Sequence, residues 1–462
     1  MNKVEKLIPG GQALSSLADG KKIFFWNALP GEIVTEFTIT KNKSHYAEAI
    51  ATKIEKPSPY RINPKDECYL STSPWQIMDY SYELDQKTEI IKEVFKQNGF
   101  NFEYEGRSEA AAVRPLGRVR KAQKERRAPV KAGCADVCPS IKIKPILTDN
   151  HDFHYRNKME YALFWDNDEQ KIKLAFHQRG SHRKIPITNS SIERPEIFQK
   201  AKEIIDNLNI NHEEARKYQS LLLRCNQQGI VSGGLYENGK PHPIFDNLTD
   251  TILNHEYSYS PNGFFQINLP VYELALKEIA KHINTEKVLD LYAGVGTIGL
   301  SVARDKDLTL VECDKYAFAE LDKNCKMDYF CDRSEVATVR PLGRVRKAQK
   351  ERRAPVKTGC ADACRKNNPL TILSNSEDAL DYIAPDETVI LDPPRAGCHI
   401  KLLEKLLEQT PPTIIYLSCN PATQARDIKI LSEKYQTTHI QPFNFFPRTP
   451  HIENLVVLKH TK

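Results

Sequence analysis

The chain has 462 residues and a formal net charge of +6, from 66 Lys and Arg against 60 Asp and Glu. A hydrophobic share of 40% and a charged share of 27% exclude a fibrous or disordered chain, and no run approaches the ~20 apolar residues of a membrane span. Eleven irregularly spaced cysteines, behind a start with no apolar run, argue against a signal peptide and a disulfide framework and predict a cytoplasmic protein.

Short β-rich runs at 22–26, 33–39 and 46–54 alternate with turns such as Pro9-Gly-Gly11 and Leu29-Pro-Gly31. They predict a small β-barrel over residues 1–60, and Pro57, Pro59 and Pro64 mark the linker behind it. Residues 61–255 read as a mixed α+β region. It holds a helix at 77–97 and a hairpin of 155–164 with 171–177 about the polar turn Asp166-Asn-Asp-Glu169. From residue 256 strands and helices alternate. A strand runs to Leu291, a helix starts at Gly296, a strand spans 308–312 and a helix starts at Lys315. Strands at Thr371, 388–391 and 413–417 follow, with helices between them. This alternation predicts a doubly wound parallel sheet.

Residues 107–138 recur as 333–364, with 28 of 32 positions identical. Each copy carries nine Lys and Arg and three Asp and Glu, so the two supply +12 and the other 398 residues carry −6. The basic surplus is therefore no argument for a nucleic-acid partner. Two copies 226 residues apart do not build a solenoid, and neither has the apolar residues to bury a face. They resemble translated mobile palindromic elements and are read as tolerated surface insertions, since loop closure entropy grows only with the logarithm of length. RNA-grasping arms are the sharper alternative. The pairs Cys134/Cys138 and Cys360/Cys364 fall short of the four ligands of structural zinc, and no metal is assigned. Deleting residues 333–364 is expected to leave the protein folded and active; a complete loss of activity in that deletion would refute the spacer reading.

Val288-Leu-Asp-Leu-Tyr-Ala-Gly-Val-Gly-Thr-Ile-Gly299 is an apolar strand entering a glycine turn and a helix. Gly294-x-Gly296-x-x-Gly299 has the dinucleotide pattern, but Asp290 would repel a pyrophosphate. It suits a cationic, zwitterionic ligand. Glu312 ends the next strand, where a carboxylate can take both ribose hydroxyls. S-adenosylmethionine fits this pattern better than a nicotinamide nucleotide. Asp392-Pro-Pro-Arg395 and Ser418-Cys-Asn-Pro421 follow two later strands, at the carboxyl ends where such a sheet builds its site. The helix after Pro421 places Cys419 beside a helix N-terminus and predicts a lowered thiol pKa. Glu453, in Phe446-Pro-Arg-Thr-Pro-His-Ile-Glu453, is a candidate base. A thiol, a base and a methyl donor suit methylation at carbon 5 of a pyrimidine.

With these motifs in place, the chain resembles the S-adenosylmethionine-dependent RNA uracil-C5 methyltransferases that carry an N-terminal TRAM domain. Ile8-Pro-Gly-Gly11, Ala28-Leu-Pro-Gly-Glu32 and Glu55-Lys-Pro-Ser-Pro59 resemble TRAM. Tyr155-Arg-Asn-Lys158 and Phe176-His-Gln-Arg-Gly-Ser-His-Arg183 resemble the family's RNA-facing ribbon. Gly263-Phe-Phe-Gln-Ile-Asn268, the glycine turn, Asp392-Pro-Pro-Arg-Ala-Gly397 and Ser418-Cys-Asn-Pro-Ala-Thr-Gln-Ala-Arg-Asp427 complete the set. The resemblance implies a TRAM/OB-like domain over 1–60, a central RNA-binding domain over 61–255 and a Rossmann-like methyltransferase domain over 256–462. It implies Cys419 as nucleophile and Glu453 as proton acceptor. The methyl donor would meet Gln266, Tyr292, Gly294, Gly296, Thr297, Glu312, Asn375 and Asp392. RNA would meet Tyr155, Arg156, Lys158, His177, Arg179 and Arg183, in a stretch where 171–184 holds five Lys and Arg, two His and no acid. Tyr155, Tyr161 and Phe176 interleave as stacking platforms. Many members hold an iron–sulfur cluster in the middle domain. Here Cys68-Tyr-Leu-Ser-Thr-Ser-Pro-Trp-Gln76 keeps one thiol where the cluster needs four, so none is expected. The implied substrate is 23S ribosomal RNA, the enzyme a monomer away from membranes. Transfer RNA, a cytosine-C5 reaction and an inactive RNA-binding protein are the alternatives.

Overall fold

The computed structural model describes residues 2–101, 142–243, 245–327 and 369–461. Both repeats lie outside these residues. Among the described residues, no helix is long and apolar enough to cross a membrane.

Alternating buried and outward residues in some of its strands build the inner face of the first sheet. Its strands β1 (Asn2–Lys3), β2 (Lys6–Leu7), β3 (Ala13–Ser16), β4 (Lys22–Trp26), β5 (Ile33–Asn42) and β6 (Tyr46–Lys56) pair in the order β1-β5-β6-β4-β3-β2. Ile23 and Phe25 of β4 and Ala47, Ala49 and Ala51 of β6 are buried, while their neighbours face outward. The order is open, where the sequence predicts a barrel. Its two edge strands are pieces of one segment, in which Val4 donates to the Glu32 carbonyl and Glu5 to the Leu14 carbonyl. After a single turn, α1 (Tyr69–Thr72), comes α2 (Tyr80–Gln97). This helix starts three residues later than predicted because the Asp79 carboxylate caps it, accepting from the N–H groups of Ser81 and Tyr82.

The second sheet contains β7 (Lys158–Asp166), β8 (Lys171–His177), β9 (Lys184–Pro186), β10 (Ser220–Cys225), β11 (Val231–Glu237) and β12 (Lys240–His242), with α3 (Pro195–Ile210) packed against it. The predicted hairpin is present. Its first strand starts at Lys158 because the Arg156 and Asn157 N–H groups are spent elsewhere, on the Ile192 and Ile267 carbonyls. A short hairpin, β13 (Leu248–Ile252) with β14 (His255–Tyr259), leads to α4 (Leu269–Ala280).

The third sheet has seven strands. They are β15 (Lys287–Asp290), β16 (Asp307–Glu312), β17 (Leu370–Leu373), β18 (Glu387–Leu391), β19 (Thr413–Ser418), β20 (Tyr435–Phe443) and β21 (Glu453–His460). Their order is β17-β16-β15-β18-β19-β21-β20, parallel from β17 to β19, with β21 antiparallel between β19 and β20. Helices α5 (Thr297–Val302), α6 (Lys315–Met327), α7 (Ile400–Gln409) and α8 (Pro421–Leu431) connect the strands. The predicted doubly wound sheet is therefore observed, and the strand order reverses at β15/β18, where such sheets open a crevice. One apolar core joins α4, α5 and α6 to one face of this sheet. Another joins α7 and α8 on the other face to α2 and the first sheet, and a third lies under α3.

Cys68 is buried, and burial with the charges of Asp66 and Glu193 pushes its thiol up to about 12. The side chains around it bond to one another. Gln76 donates to Asp66 and Ser73, and Ser190 and Tyr161 donate to Glu193. Among the described residues, a protonated thiol set in this carboxylate and hydroxyl network does not fit a cluster held by four thiolates.

Candidate active site

Strand register brings the chemistry together. Ser418 of β19 opposes Asn454 of β21, so the next antiparallel pair is Cys419 and Glu453. In the parallel pairs, Asp290 of β15 is level with Ile390 of β18, placing Asp392 two residues beyond it at the same sheet end. Asp290, Asp392, Cys419 and Glu453 thus end four adjacent strands.

Local bonds set each group. Asn420 caps α8, its side-chain oxygen accepting from the Ala422 N–H at 3.2 Å. Its amide donates to the Arg395 carbonyl at 2.9 Å, tying α8 to the Asp392 loop. Asp427 fixes the same loop from below, accepting from the Cys398 N–H and the Tyr416 hydroxyl, each at 2.8 Å. Gln424 donates to the Tyr416 and Asn454 carbonyls and so locks β19 against β21. The Arg395 guanidinium donates to Nδ1 of His451 at 3.2 Å. Burial and Arg395 push that imidazole down to about 4, leaving it neutral. Arg395 and His451 carry no assigned role in the sequence reading, although both lie inside quoted motifs.

The site is acidic and short of positive charge. Burial raises Asp290 to about 7, and burial with Asp290 raises Asp392 to about 7. Glu453 is nearly enclosed and lies well above the usual carboxylate range, through burial and Asp392, with Arg395 opposing. The predicted low thiol pKa is wrong. Cys419 precedes the N-cap, and burial with the charges of Glu453 and Asp392 outweighs Arg395, pushing the thiol up to about 11.

A pH dependence follows. Asp290 and Asp392 titrate above the ~3.9 of an unfolded Asp, so the folded chain keeps protons that the unfolded chain has lost. Their contribution to stability is present below that value and is lost as pH rises through about 7. The thermal midpoint of the ligand-free protein is expected to fall across this window, with a shallower fall in Asp392→Asn. An unchanged slope in that variant would remove Asp392 from the account.

Residues 361–461 match the model of the tRNA (Uracil-5-)-methyltransferase family. A Bacillus anthracis protein described as an uncharacterized RNA methyltransferase is 26% identical, over 94% of this chain and 91% of its own. A Synechocystis protein so described is 25% identical, over 95% and 90%. The crystal structure of Pyrococcus abyssi tRNA (uracil-54, C5)-methyltransferase in complex with S-adenosyl-L-homocysteine shares the fold, with a TM-score of 0.65 at 20% identity over 99% of both chains. The chain is thus similar to RNA methyltransferases over nearly its full length, and the methyl donor that the sequence resemblance implies is S-adenosylmethionine.

The enzyme's crevice fits that donor. Asp290 Oδ2 accepts from the Gly299 N–H at 3.0 Å, while its buried Oδ1 has no hydrogen-bond partner. Glu312 is oriented by the Gly294 and Asp314 N–H groups, at 2.8 and 2.6 Å, and keeps a lone pair on each oxygen. Gly296 has φ +92°, and a Cβ there would stand 2.6 Å from Leu321. At Gly299 a Cβ would stand 2.5 Å from Leu310, so only glycine lets α5 settle on β15 and β16. Tyr292 and Asn375 follow β15 and β17 at the same sheet end. The Thr297 hydroxyl pairs with that of Tyr272 at 2.8 Å. Gln266 lies in the loop before α4, which Asn157 ties to the second sheet by donating to the Gln266 carbonyl at 2.9 Å.

The expected RNA-binding residues divide. Tyr155, Tyr161 and Phe176 are buried in the core under α3, and Tyr155 and Tyr161 donate to the Pro447 carbonyl and to Glu193. They cannot stack on bases, because alternation turns Tyr161 and Phe176 inward and Pro447 holds Tyr155. Lys158 donates to the Asn262 and Gly263 carbonyls at 3.0 and 3.1 Å. Arg156 Nε donates to the Lys158 carbonyl at 2.8 Å. Arg179 donates to the Leu70 carbonyl and lies 4.1 Å over the Trp26 ring, pinning the second sheet to the first. These three cations are structural ties. His177 and Arg183 are exposed.

Proposed function

We propose that the enzyme transfers a methyl group to carbon 5 of a uridine in structured RNA. The observation that carries this reading is the opposition of Cys419 and Glu453 at the ends of β19 and β21, beside Asp392. S-adenosylmethionine supplies an electrophilic methyl group on a sulfonium; Asp290, Glu312 and Asp392 would hold it, with the glycine turn as its cradle. The Cys419 thiol loses its proton to solvent as its sulfur adds to carbon 6, and the displaced π electrons move onto the ring as an enolate that is nucleophilic at carbon 5. Once carbon 5 carries the methyl group, Glu453 takes the proton there. The electrons return to the ring and the sulfur–carbon bond breaks. Arg395 opposes the negative charge of both groups. A paired base would have to leave its stack to reach them.

In this reading residues 1–60 are a TRAM/OB-like domain, supported by the bridging segment of residues 2–7. Residues 61–255 are the RNA-binding domain, with His177, Arg183 and neighbouring Lys171 and His182 as its exposed polar side chains. The enzyme acts as a cytoplasmic monomer. The resemblance to TRAM-bearing members favours 23S ribosomal RNA. Transfer RNA is the second reading, favoured by the name of the matching family and of the Pyrococcus abyssi protein. Mapping the 5-methyluridine lost from total RNA when the gene is deleted decides between them, and no loss at any site would defeat both. Glu453→Gln is expected to accumulate a covalent RNA–protein adduct, seen as a shifted band on a denaturing gel. Absence of the band alongside an active parent would remove Glu453 from the proton-transfer step.

A further inference from the structure

Far from the crevice, α4 and β20 meet at a cluster that the methyl-transfer chemistry does not use. Glu278 lies in the last turn of α4 and His282 four residues on, so both project from one side. His439 approaches from β20. The strand's register shifts between Thr437 and His439, and such a bulge re-aims a side chain. Glu278 Oε1 stands 3.1 Å from His439 Nε2 and 3.9 Å from His282 Nε2, and the three atoms all lie within 4.8 Å of one another. Both Nε2 atoms are buried without a hydrogen-bond partner. The His439 side chain is only 7% exposed. Two buried imidazole nitrogens left unpaired beside a carboxylate are costly unless something joins them.

We infer that Glu278, His282 and His439 form a binding site for a divalent transition-metal ion, zinc by ligand type, with water completing its shell. Two ligand atoms on one tetrahedral zinc, each ~2.0–2.1 Å from the ion, stand ~3.3 Å apart. The two spacings from the carboxylate, 3.1 and 3.9 Å, bracket that value, and the spacing between the imidazole nitrogens is at most 4.8 Å. Imidazole and carboxylate together suit zinc rather than magnesium or calcium. Lys144 and Lys281 contact the same carboxylate at 3.4 and 2.5 Å. Their side chains are 51% and 65% exposed, so both can swing into solvent when a cation takes their place. The site would clamp α4 to the edge strand of the seven-stranded sheet, a structural role remote from Cys419.

The test uses the full chain, stripped with chelator and titrated with zinc chloride in a calorimeter. Because thiols are soft ligands that can take up added zinc nonspecifically, the reading is a difference. His282→Ala and His439→Ala are each expected to lose one equivalent relative to the parent. Cobalt(II) at that equivalent should show a visible ligand-field band without the near-ultraviolet band of thiolate ligation. Lys144→Ala/Lys281→Ala should tighten binding at this equivalent, since it removes two repelling charges. His282 is partly exposed, so His282→Ala carries the result if His439→Ala misfolds. An unchanged zinc stoichiometry in His282→Ala, or a cobalt spectrum with thiolate ligation only, would overturn the assignment.

Discussion

Replacing Cys419 by alanine is expected to abolish methyl transfer while leaving donor binding within a few-fold of the parent. Loss of a covalent nucleophile acts on the scale of roughly 10⁴–10⁶-fold in turnover. Nothing else described at the end of β19 can take its place: the neighbouring Ser418 is buried, and its hydroxyl faces Asn420. Cys398 is buried too, with its thiol held near 12 by burial and Asp427. The donor's expected partners lie at the ends of other strands, so truncating one thiol leaves them in place. Transfer of labelled methyl to RNA, run beside equilibrium binding of the donor, checks both halves. Turnover within tenfold of the parent would sink the covalent route.

Lys87→Met is expected to cost ~3–5 kcal/mol of stability, the usual result of stripping one partner from a buried ion pair. Lys87 and Glu83 are both fully enclosed, 2.9 Å apart on one face of α2. The ammonium also donates to the Asn444 side chain at 2.6 Å and to the Phe446 carbonyl at 3.0 Å. Glu83 accepts from the Arg448 N–H at 3.1 Å on each oxygen. Arg448 has φ +61° and reaches Asp152 and the Met78 carbonyl with its guanidinium. This network holds the loop that delivers Glu453 to the site. Removing the cation leaves Glu83 uncompensated and frees the loop, so activity should fall even where the variant stays folded. Urea unfolding checks the first effect, and Glu83→Leu/Lys87→Met should recover part of the loss. A change below ~1 kcal/mol in Lys87→Met would show that the pair is not the anchor.

The strand, glycine turn and helix around Gly296 are legible in the sequence because local rules govern them: an apolar run, a left-handed position, a helix start. The Cys419–Glu453 pair is not legible from spacing, since β21 enters the sheet between β19 and β20 and only that register opposes them. The resemblance supplied the pairing in advance. Two expectations failed for one reason, burial. It reverses the sign expected for the Cys419 thiol, and it turns Tyr155, Tyr161 and Phe176 from base-stacking platforms into core. The cations Lys158 and Arg179 look free in a sequence, but the carbonyls that hold them come from distant segments.

The strand order of the third sheet also marks a junction suited to added sequence. The described chain leaves α6 at Met327 and resumes just before β17, which among the described residues is an edge strand paired only with β16. In a parallel βαβ unit the helix returns to the amino end of the next strand, the face opposite Asp392 and Cys419. A splice at that junction breaks no interior ladder and keeps a full strand length between new sequence and reacting atoms. The same junction is a natural port for a fluorescent reporter or an affinity handle in an otherwise unaltered enzyme.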